Sequence, residues 1–122
     1  MKPFKSDERL LTIQNVESAQ EIAKIAHALS SPTRVEILRL LNEKPHLMTE
    51  ISAKLAIQPS SAAFHLKLLE DAGLIYVEYS TKNKGSTKWY SYSVRAVTFL
   101  LRDPARQPEG PEPYTASVQI GD

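Results

Sequence analysis

The sequence predicts a mainly α-helical domain with one small β-hairpin and extra short β segments near the chain ends. Three observations lead to this fold class. Four segments between residues 15 and 72 carry apolar residues at helical spacing, two aromatic and β-branched runs follow them, and a polar stretch containing glycine separates those runs. With 122 residues, the chain has the length of a single small domain with a modest core.

The first two predicted helices are marked by their starting residues as well as by their apolar stripes. In "NVESAQEIAKIAHALS" we expect Asn15 to be the N-cap. In "SSPTRVEILRLLNEKP" Ser31 is the expected N-cap, and Pro32 takes the first helical position, where its missing N–H costs nothing. Apolar residues cover most sides of this second helix, which is therefore predicted to be largely buried.

The third and fourth predicted helices form a pair joined by a short turn. Thr49 can cap the short helix in "MTEISAKLAI", and a turn then ends at Gln58. Pro59 opens the fourth helix, which runs to about Ala72, and Gly73 is placed to stop it in a left-handed conformation. Two short helices connected in this way constitute a helix-turn-helix.

The first turns of the fourth helix carry small side chains, which suggests that something approaches the helix closely. In a helix-turn-helix the second helix enters the major groove of DNA, where large side chains would hold the backbone away. Ser60 and Ser61 could hydrogen-bond to bases or phosphates, Ala63 and Phe64 could contact thymine methyls, and Lys67 could reach a phosphate. The alternative is that small residues only permit tight packing between helices.

A β-hairpin follows the four helices. Residues 75–79 and 88–92 are rich in β-forming side chains, and the basic stretch "STKNKGSTK" lies between them. Trp89, Tyr90 and Tyr92 are expected to cover a face of the sheet rather than to stack on bases. Residues 94–103 fit a helix or a strand, and we favour a strand because Val, Thr and Phe are frequent there.

The positive charge is concentrated in the part of the chain that contains the fourth helix and the hairpin. Residues 54–102 hold seven Lys and Arg against three Asp and Glu, whereas the last twenty residues have a net charge of −3. An excess of +4 suits a polyanionic partner, although an unevenly charged solvated surface gives the same count.

Three segments in this order, "ALSSPTRVEILRLL", "TEISAKLAIQPSSAAFHLKLLEDAGLI" and a basic hairpin, resemble the ArsR-type winged helix-turn-helix repressors of bacteria and archaea. The resemblance covers residues 22–92, and "HLKLLEDAGLI" is its most specific part. It implies a homodimer that binds double-stranded operator DNA. The hairpin would then be the wing of the fold.

The resemblance also assigns roles to particular residues. The recognition helix would contact DNA through Ser60, Ser61, Ala63, Phe64 and Lys67. The wing would contact DNA through Lys82, Lys84, Ser86 and Lys88. Support for the helix-turn-helix would come from Thr49, Gln58, Pro59 and His65.

The sequence departs from this family in three ways. Members often have a serine at the position of Ala63 and a polar residue at that of Phe64, so recognition here shifts toward apolar contact. Metal-sensing members carry cysteines in the helix that here reads "MTEISAKL", and this chain has no cysteine. The segment "SVRAVTFLLRD" has no counterpart of the long C-terminal helix that supplies metal ligands and a dimer interface.

No motif in the sequence indicates an enzyme, a cofactor or a metal centre. Nucleophile, phosphate-loop and metalloprotease motifs are missing, and His27, His46 and His65 are scattered. We expect His46 to be solvated in a turn and Arg34 to hydrogen-bond within the core, the alternative for Arg34 being a phosphate contact. No apolar run reaches membrane-spanning length, and the charged N-terminus does not read as a signal peptide, so the expected location is cytoplasmic.

The chain divides into four predicted parts. Residues 1–15 are an N-terminal extension with a short strand, and residues 16–102 are the DNA-binding domain. Residues 103–113 are a proline-rich linker, and residues 114–122 are a β-like tail that could begin a further domain. At least two of the β-like runs 9–13, 96–101 and 115–120 are expected to pair, because unpaired strands aggregate.

These observations predict a sequence-specific, DNA-binding transcription regulator that acts as a homodimer. The alanines at positions 19, 23 and 26 suit close packing of the first helix against another helix, in the same subunit or in the dimer mate. The alternative function is a winged-helix module for protein–protein contact in a larger assembly. A small-molecule effector is compatible with either function, but the sequence does not identify one.

Overall fold

A computed structural model describes residues 13–81, 86–103 and 105–106 of the chain. Its helices and strands follow in the order β1 (Ile13–Val16), α1 (Ala19–Ala28), α2 (Pro32–Glu43), α3 (Met48–Leu55), α4 (Pro59–Asp71), β2 (Ile75–Ser80), β3 (Thr87–Tyr92) and β4 (Ala96–Phe99). The predicted fold class, four helices with a small hairpin and additional short strands, is confirmed.

The start of α2 follows the sequence prediction, whereas the starts of α1 and α3 do not. Ser31 caps α2, its Oγ accepting from the Arg34 N–H at 3.3 Å, with a proline in the first turn. Asn15 lies in β1 instead of capping α1, because Ser18 takes the N-cap position and its Oγ accepts from the Glu21 N–H.

The prediction that Thr49 caps the third helix is wrong. Helix α3 begins at Met48 with Leu47 as its N-cap, so Thr49 lies inside the first turn. The Leu47 N–H donates to Glu50 Oε1 at 2.9 Å, which is the glutamate half of a capping box, and Leu47 makes no side-chain cap hydrogen bond.

Helix α4 ends in a glycine stop, as the sequence predicts. Gly73 has a φ of +77°, which an L-residue adopts only at a cost. Its N–H donates to the Glu70 carbonyl at 2.9 Å, and the Leu74 N–H donates to the Leu69 carbonyl at 3.0 Å. This pair of bonds is the Schellman motif, and it turns the buried Leu74 side chain back toward the core.

The core lies where α2, α3 and α4 meet the hairpin. Among its Ile and Leu side chains, six are at most 1% exposed: Ile37, Leu41, Ile51, Leu66, Leu69 and Leu74. Burial of each such side chain contributes roughly 1.5–3 kcal/mol to folding before entropy is counted. The helix-turn-helix is therefore held rigidly against the rest of the domain.

The hairpin prediction is confirmed. Strands β2 and β3 pair antiparallel from Ile75 opposite Tyr92 to Ser80 opposite Thr87. His46 adds an isolated antiparallel bridge to Tyr90, with N···O distances of 3.1 and 2.9 Å in the two directions. His46 is completely buried, so the prediction that it is solvated is wrong.

A second sheet joins the two ends of the described chain. Strand β1 pairs with β4 in parallel, from Ile13 opposite Ala96 to Val16 opposite Phe99. The strand predicted for residues 94–103 is thus confirmed for its central part, and its partner begins where the predicted run 9–13 ends. The remainder of that run and residues 115–120 lie outside the described residues.

In the sequence, β1 precedes the four helices and the hairpin, and β4 follows them, so their pairing brings the two ends of this domain together. Val16 is 1% exposed and belongs to the core, and the Leu100 N–H donates to its carbonyl at 2.9 Å. The predicted domain boundary between residues 15 and 16 therefore falls inside β1. Within the described ranges, no helix is long and apolar enough to cross a membrane.

Candidate nucleic-acid interface

Helix α4 has one face in the core and one face in solvent. Ala62, Leu66 and Leu69, at helical spacing, are 0%, 1% and 0% exposed. On the opposite side Ala63 is exposed and Phe64 is 59% exposed. The inner face anchors the helix, and the outer face is free to meet a partner.

The other residues predicted for this helix fall on or near the same outer face. Ser60 and Lys67 are exposed, and Ser61 is half-buried. Lys67 Nζ lies 3.2 Å from the Asp71 carboxylate, with both side chains largely in water. An exposed pair of this kind contributes little to stability, so the ammonium can exchange the carboxylate for another anion.

The turn between α3 and α4 is held by the buried side chain of Ser52. Its Oγ donates to the Ile57 carbonyl at 2.6 Å, and the Ile57 N–H donates to the Ser52 carbonyl at 3.0 Å. Ala56 takes the left-handed conformation, with φ of 53°, which lets the chain reverse within three residues. Gln58 and Pro59 then open α4, both exposed, without a side-chain cap.

Arg34 connects the first turn of α2 to α1 and to the middle of α4. It is 6% exposed, and its Nε donates to the Ala28 carbonyl at 2.7 Å. One terminal nitrogen donates to the His27 carbonyl at 3.2 Å, and the other lies 3.0 Å from His65 Nδ1. The expected structural role of Arg34 is confirmed by these contacts.

His65 receives the guanidinium of Arg34 on its buried side and contacts Phe64 on its outer side. A guanidinium has only donors, so His65 Nδ1 must accept and the ring proton must sit on Nε2. Partial burial, followed by the positive charge of Arg34, lowers the pKa of His65. The Phe64 and His65 ring centroids are 5.7 Å apart.

Four residues of the hairpin were predicted to contact DNA. Of these, Ser86 and Lys88 are exposed, and Lys82 and Lys84 lie outside the described residues. The Lys88 ammonium lies 5.4 Å from the centre of the Tyr90 ring, and a hydrogen bond with Tyr90 raises the pKa of Lys88. Lys88 therefore keeps its positive charge at neutral pH.

The aromatic residues of β3 are arranged by depth. Tyr90 is 6% exposed and belongs to the core, while Trp89 and Tyr92 are half-buried. This matches the expectation that they cover the sheet. On the neighbouring strand β2, Tyr76 and Tyr79 are 44% and 66% exposed.

Sequence reasoning missed a polar contact between α3 and the residues that precede it. His46 Nδ1 lies 2.8 Å from the Lys44 carbonyl, and this nitrogen must donate because the carbonyl can only accept. His46 Nε2 then accepts from the Lys54 ammonium at 3.2 Å. Lys54 is eight residues away, at the far end of α3, and no local sequence pattern predicts this pairing.

A second missed contact joins the end of β3 to α2. The Arg95 guanidinium donates to Asn42 Oδ1 at 3.1 Å and to the Tyr92 hydroxyl at 2.9 Å. Its Cζ also lies 4.4 Å from the centre of the Tyr92 ring. Asn42 and Arg95 are 53 residues apart, so only the folded chain brings them together.

The exposed face of α4 combines hydroxyl groups, a methyl, an aromatic ring and the ammonium of Lys67. Hydroxyls and ammonium groups suit bases and phosphates, and apolar side chains suit thymine methyls. Within the described residues, no three His, Asp or Glu side chains come close enough to share a metal ion.

Comparison with known proteins gives three kinds of similarity. Residues 31–77 match the bacterial regulatory protein family arsR. The chain is 38% identical over 81 residues to an uncharacterized HTH-type transcriptional regulator of Methanocaldococcus jannaschii, an alignment that spans 66% of this chain and 83% of that protein.

Two solved structures represent the fold similarity. An ArsR-like transcriptional regulator from Rhodococcus sp. RHA1 is 26% identical with a TM-score of 0.54, over 60% of this chain and 65% of that one. The homodimeric winged helix-turn-helix DNA-binding domain from Mycobacterium bovis is 19% identical with a TM-score of 0.54, over 76% of each chain. Both structures share the fold of this chain, in which a β-hairpin follows the helix-turn-helix.

Proposed function

This chain belongs to the arsR family of regulatory proteins, and from that premise we propose that it binds operator DNA as a homodimer. It is a transcription regulator with a winged helix-turn-helix domain. In the proposed complex α4 lies in the major groove and the wing lies along the phosphate backbone. The two-sided character of α4 is the observation that carries this proposal.

The proposed base contacts come from the outer face of α4. Because Ala62, Leu66 and Leu69 are buried, the orientation of this helix is set before DNA binds. Ser60 and Ala63 then allow close approach to the groove floor, and Phe64 offers an exposed apolar surface to thymine methyls. Recognition of the operator is therefore expected to depend strongly on apolar contacts with thymine methyls, in addition to hydrogen bonds with the bases.

The proposed phosphate contacts come from lysines. Lys67 can leave its exposed pair with Asp71, and Lys88 remains charged beside Tyr90. Lys82 and Lys84, at the tip of the hairpin in the sequence, would add two further charges. Such contacts set affinity and register without reading sequence, and they make binding weaken as salt rises.

The proposed dimer is supported by a relative and by exposed apolar residues. The Mycobacterium bovis domain of the same fold is homodimeric. In this chain Ala19 and Ala23 are exposed on α1, and Leu101, just beyond β4, is 83% exposed. A second copy of the chain would cover such surface.

The first experiment tests the face of α4. Operator sequences are selected from random DNA with the purified protein, and affinity is measured by fluorescence anisotropy. Ser61→Glu should reduce operator affinity by at least about a hundredfold, because it adds bulk and a negative charge where phosphates would lie.

The matched control is Gln20→Glu, which adds the same charge to the exposed start of α1. It should bind within about twofold of the unaltered chain, and both variants should keep the same thermal unfolding transition. Unchanged operator binding by Ser61→Glu would exclude α4 as the recognition helix. Failure to select any DNA would exclude the proposed function and favour a protein-binding module.

The second experiment tests the wing. Replacing Lys82, Lys84 and Lys88 together with Ala should weaken binding to operator and to unrelated DNA alike. The slope of log K against log salt should fall by about one unit for each phosphate that the variant no longer neutralises. A triple variant with the original slope would show that the hairpin does not touch DNA.

A further inference from the structure

A cleft of about 510 Å³ opens between α2 and the segment that enters β4. Its walls are mainly aliphatic and are lined by Leu29, Val35, Leu38, Leu74, Val94 and Val97. Small-molecule sites usually have volumes of about 300–1,000 Å³, apolar walls and a few polar groups that orient the ligand. This cleft lies apart from the outer face of α4.

The charged groups of the cleft have one sign. Arg39 and Arg95 line it together with Asn42, and no Asp or Glu is among its lining residues. Arg39 pairs with Glu36 at 3.0 Å, but both of these side chains are exposed and the pair is weak. An anionic group in the cleft would therefore meet two guanidinium groups, and at Arg39 it would compete with the exposed Glu36 carboxylate.

Arg95 has bonding capacity that the protein does not use. Its terminal nitrogens donate to Asn42 and Tyr92, whereas its Nε is buried and has no hydrogen-bond partner among the residues that the structure describes. An unpaired buried donor is costly, and a guanidinium presents Nε and one terminal nitrogen side by side to a carboxylate. Because Nε is covered in this structure, a carboxylate would take both hydrogen bonds once the guanidinium turns into the cleft.

We propose that this cleft is an effector site for a small amphipathic carboxylate, with the apolar chain among the aliphatic residues and the carboxylate on Arg95. Arg95 ties Asn42 of α2 to Tyr92 at the base of the wing, so a carboxylate that draws the guanidinium away loosens this tie. The regulatory part of this inference rests on the proposed function, because it requires that the wing contact DNA.

The probe is octanoate, added to the full chain and followed by amide NMR and calorimetry. Octanoate should bind one to one, with the largest shifts at Asn42, Val94 and Ala96. Octan-1-ol and octylamine should bind at least about tenfold more weakly, because they lack the carboxylate. Each methylene removed from the chain should weaken binding by up to about fourfold.

The decisive variant is Asn42→Asp, which keeps the size of the side chain and gives Arg95 a carboxylate within the protein. It should lower octanoate affinity by about tenfold or more without unfolding the domain. Arg95→Met should have the same effect, and Arg102→Met, an exposed arginine outside the cleft, should have none. Equal binding by the unaltered chain and by folded Asn42→Asp would overturn the proposal.

A cleft occupied by the acidic residues 103–122 of the chain itself would leave octanoate unable to bind, and this outcome also overturns the proposal. So does a cleft filled by a second copy, which would give concentration-dependent shifts at the same amides without any ligand. Either result would show that the cleft is a contact surface within or between copies of the chain.

The regulatory step is measured with the selected operator. Saturating octanoate should raise the operator Kd several-fold for the unaltered chain and should leave that of Asn42→Asp unchanged. Octanoate binding without any change in operator Kd would overturn the assignment as an effector site. If the chain binds no DNA, the proposed function fails, while the titration without DNA still decides whether the cleft takes a carboxylate.

Discussion

Two histidines in different parts of the molecule, His46 under the hairpin and His65 in α4, each accept a hydrogen bond from a cation. His46 is fully buried and accepts from the exposed Lys54, whereas His65 is half-buried and accepts from the buried Arg34. In one pair the base is inside and the cation outside, and in the other pair this order is reversed.

The reversal changes what each pair contributes. Arg34 satisfies two carbonyls of α1 in addition to His65, so the buried cation joins α1, α2 and α4. In the described part of the chain, the His46 ring bonds only to the Lys44 carbonyl and to the Lys54 ammonium, and this cation is already solvated. The two rings also hold their proton on opposite nitrogens, Nδ1 in His46 and Nε2 in His65. A buried cation with several acceptors should therefore matter more than a buried neutral base.

The largest effect should come from Arg34→Met. This change leaves the Ala28 and His27 carbonyls and His65 Nδ1 without their donor, and we expect it to lower the free energy of unfolding by about 2–3 kcal/mol. Arg39→Met is the matched control on the same helix, since Arg39 makes only an exposed pair with Glu36, and it should cost less than about 0.5 kcal/mol. Urea unfolding measures both, and equal stability of the two variants would show that burial of the Arg34 guanidinium adds nothing.

A smaller destabilisation, about 1–2 kcal/mol, is expected for His46→Leu. The side chain keeps an apolar volume in the core but gives up its bonds to Lys44 and Lys54, whose atoms can turn to water. The exposed His27 provides the control, because His27→Leu should change stability by less than about 0.5 kcal/mol. If His46→Leu lowered the free energy of unfolding as much as Arg34→Met does, then burying the cation rather than the base would make no difference to stability.

The smallest effect is a pH dependence that belongs to His65. Its pKa is lowered in the folded chain, so the unfolded chain binds a proton more readily and acid favours unfolding. The contribution of His65 should be fully present above pH 6.5 and should decline as the pH falls toward the lowered pKa.

His65→Asn isolates this effect, because the amide oxygen can replace Nδ1 as the acceptor for Arg34 but does not titrate. Between pH 7 and pH 5 the unaltered chain should lose more unfolding free energy than the variant, so the stability of the variant should approach or exceed that of the unaltered chain. Parallel pH profiles for both chains would show that His65 is not the titrating group.

The sequence alone was a good guide wherever the deciding interaction is local. The stripe of Leu66 and Leu69, the proline at the start of α4 and the left-handed Gly73 are all read within a few residues of one another. The hairpin is equally local, since β2 and β3 are adjacent in the chain. The N-caps were less reliable, because Ser18 rather than Asn15 caps α1 and α3 begins after Leu47, without a side-chain cap.

Long-range contacts could not be predicted in this way. The pairing of β1 with β4 spans more than eighty residues, and nothing in either short run specifies a parallel partner. The burial of His46 depends on its bridge to Tyr90, and the tie from Arg95 to Asn42 depends on β3 packing against α2. A polar side chain carries no periodic signal, so its partner is known only when the backbone has been placed.

By itself, the sequence determined the helix-turn-helix, the hairpin and the small outer residues of α4, because spacing and side-chain size act through neighbouring turns of the chain. Only the tertiary structure decided which polar groups are buried together, which tautomer each histidine holds and where the Arg95 cleft opens. These outcomes follow from packing between distant segments, which excludes water from some side chains and leaves each of them a single set of hydrogen-bond partners.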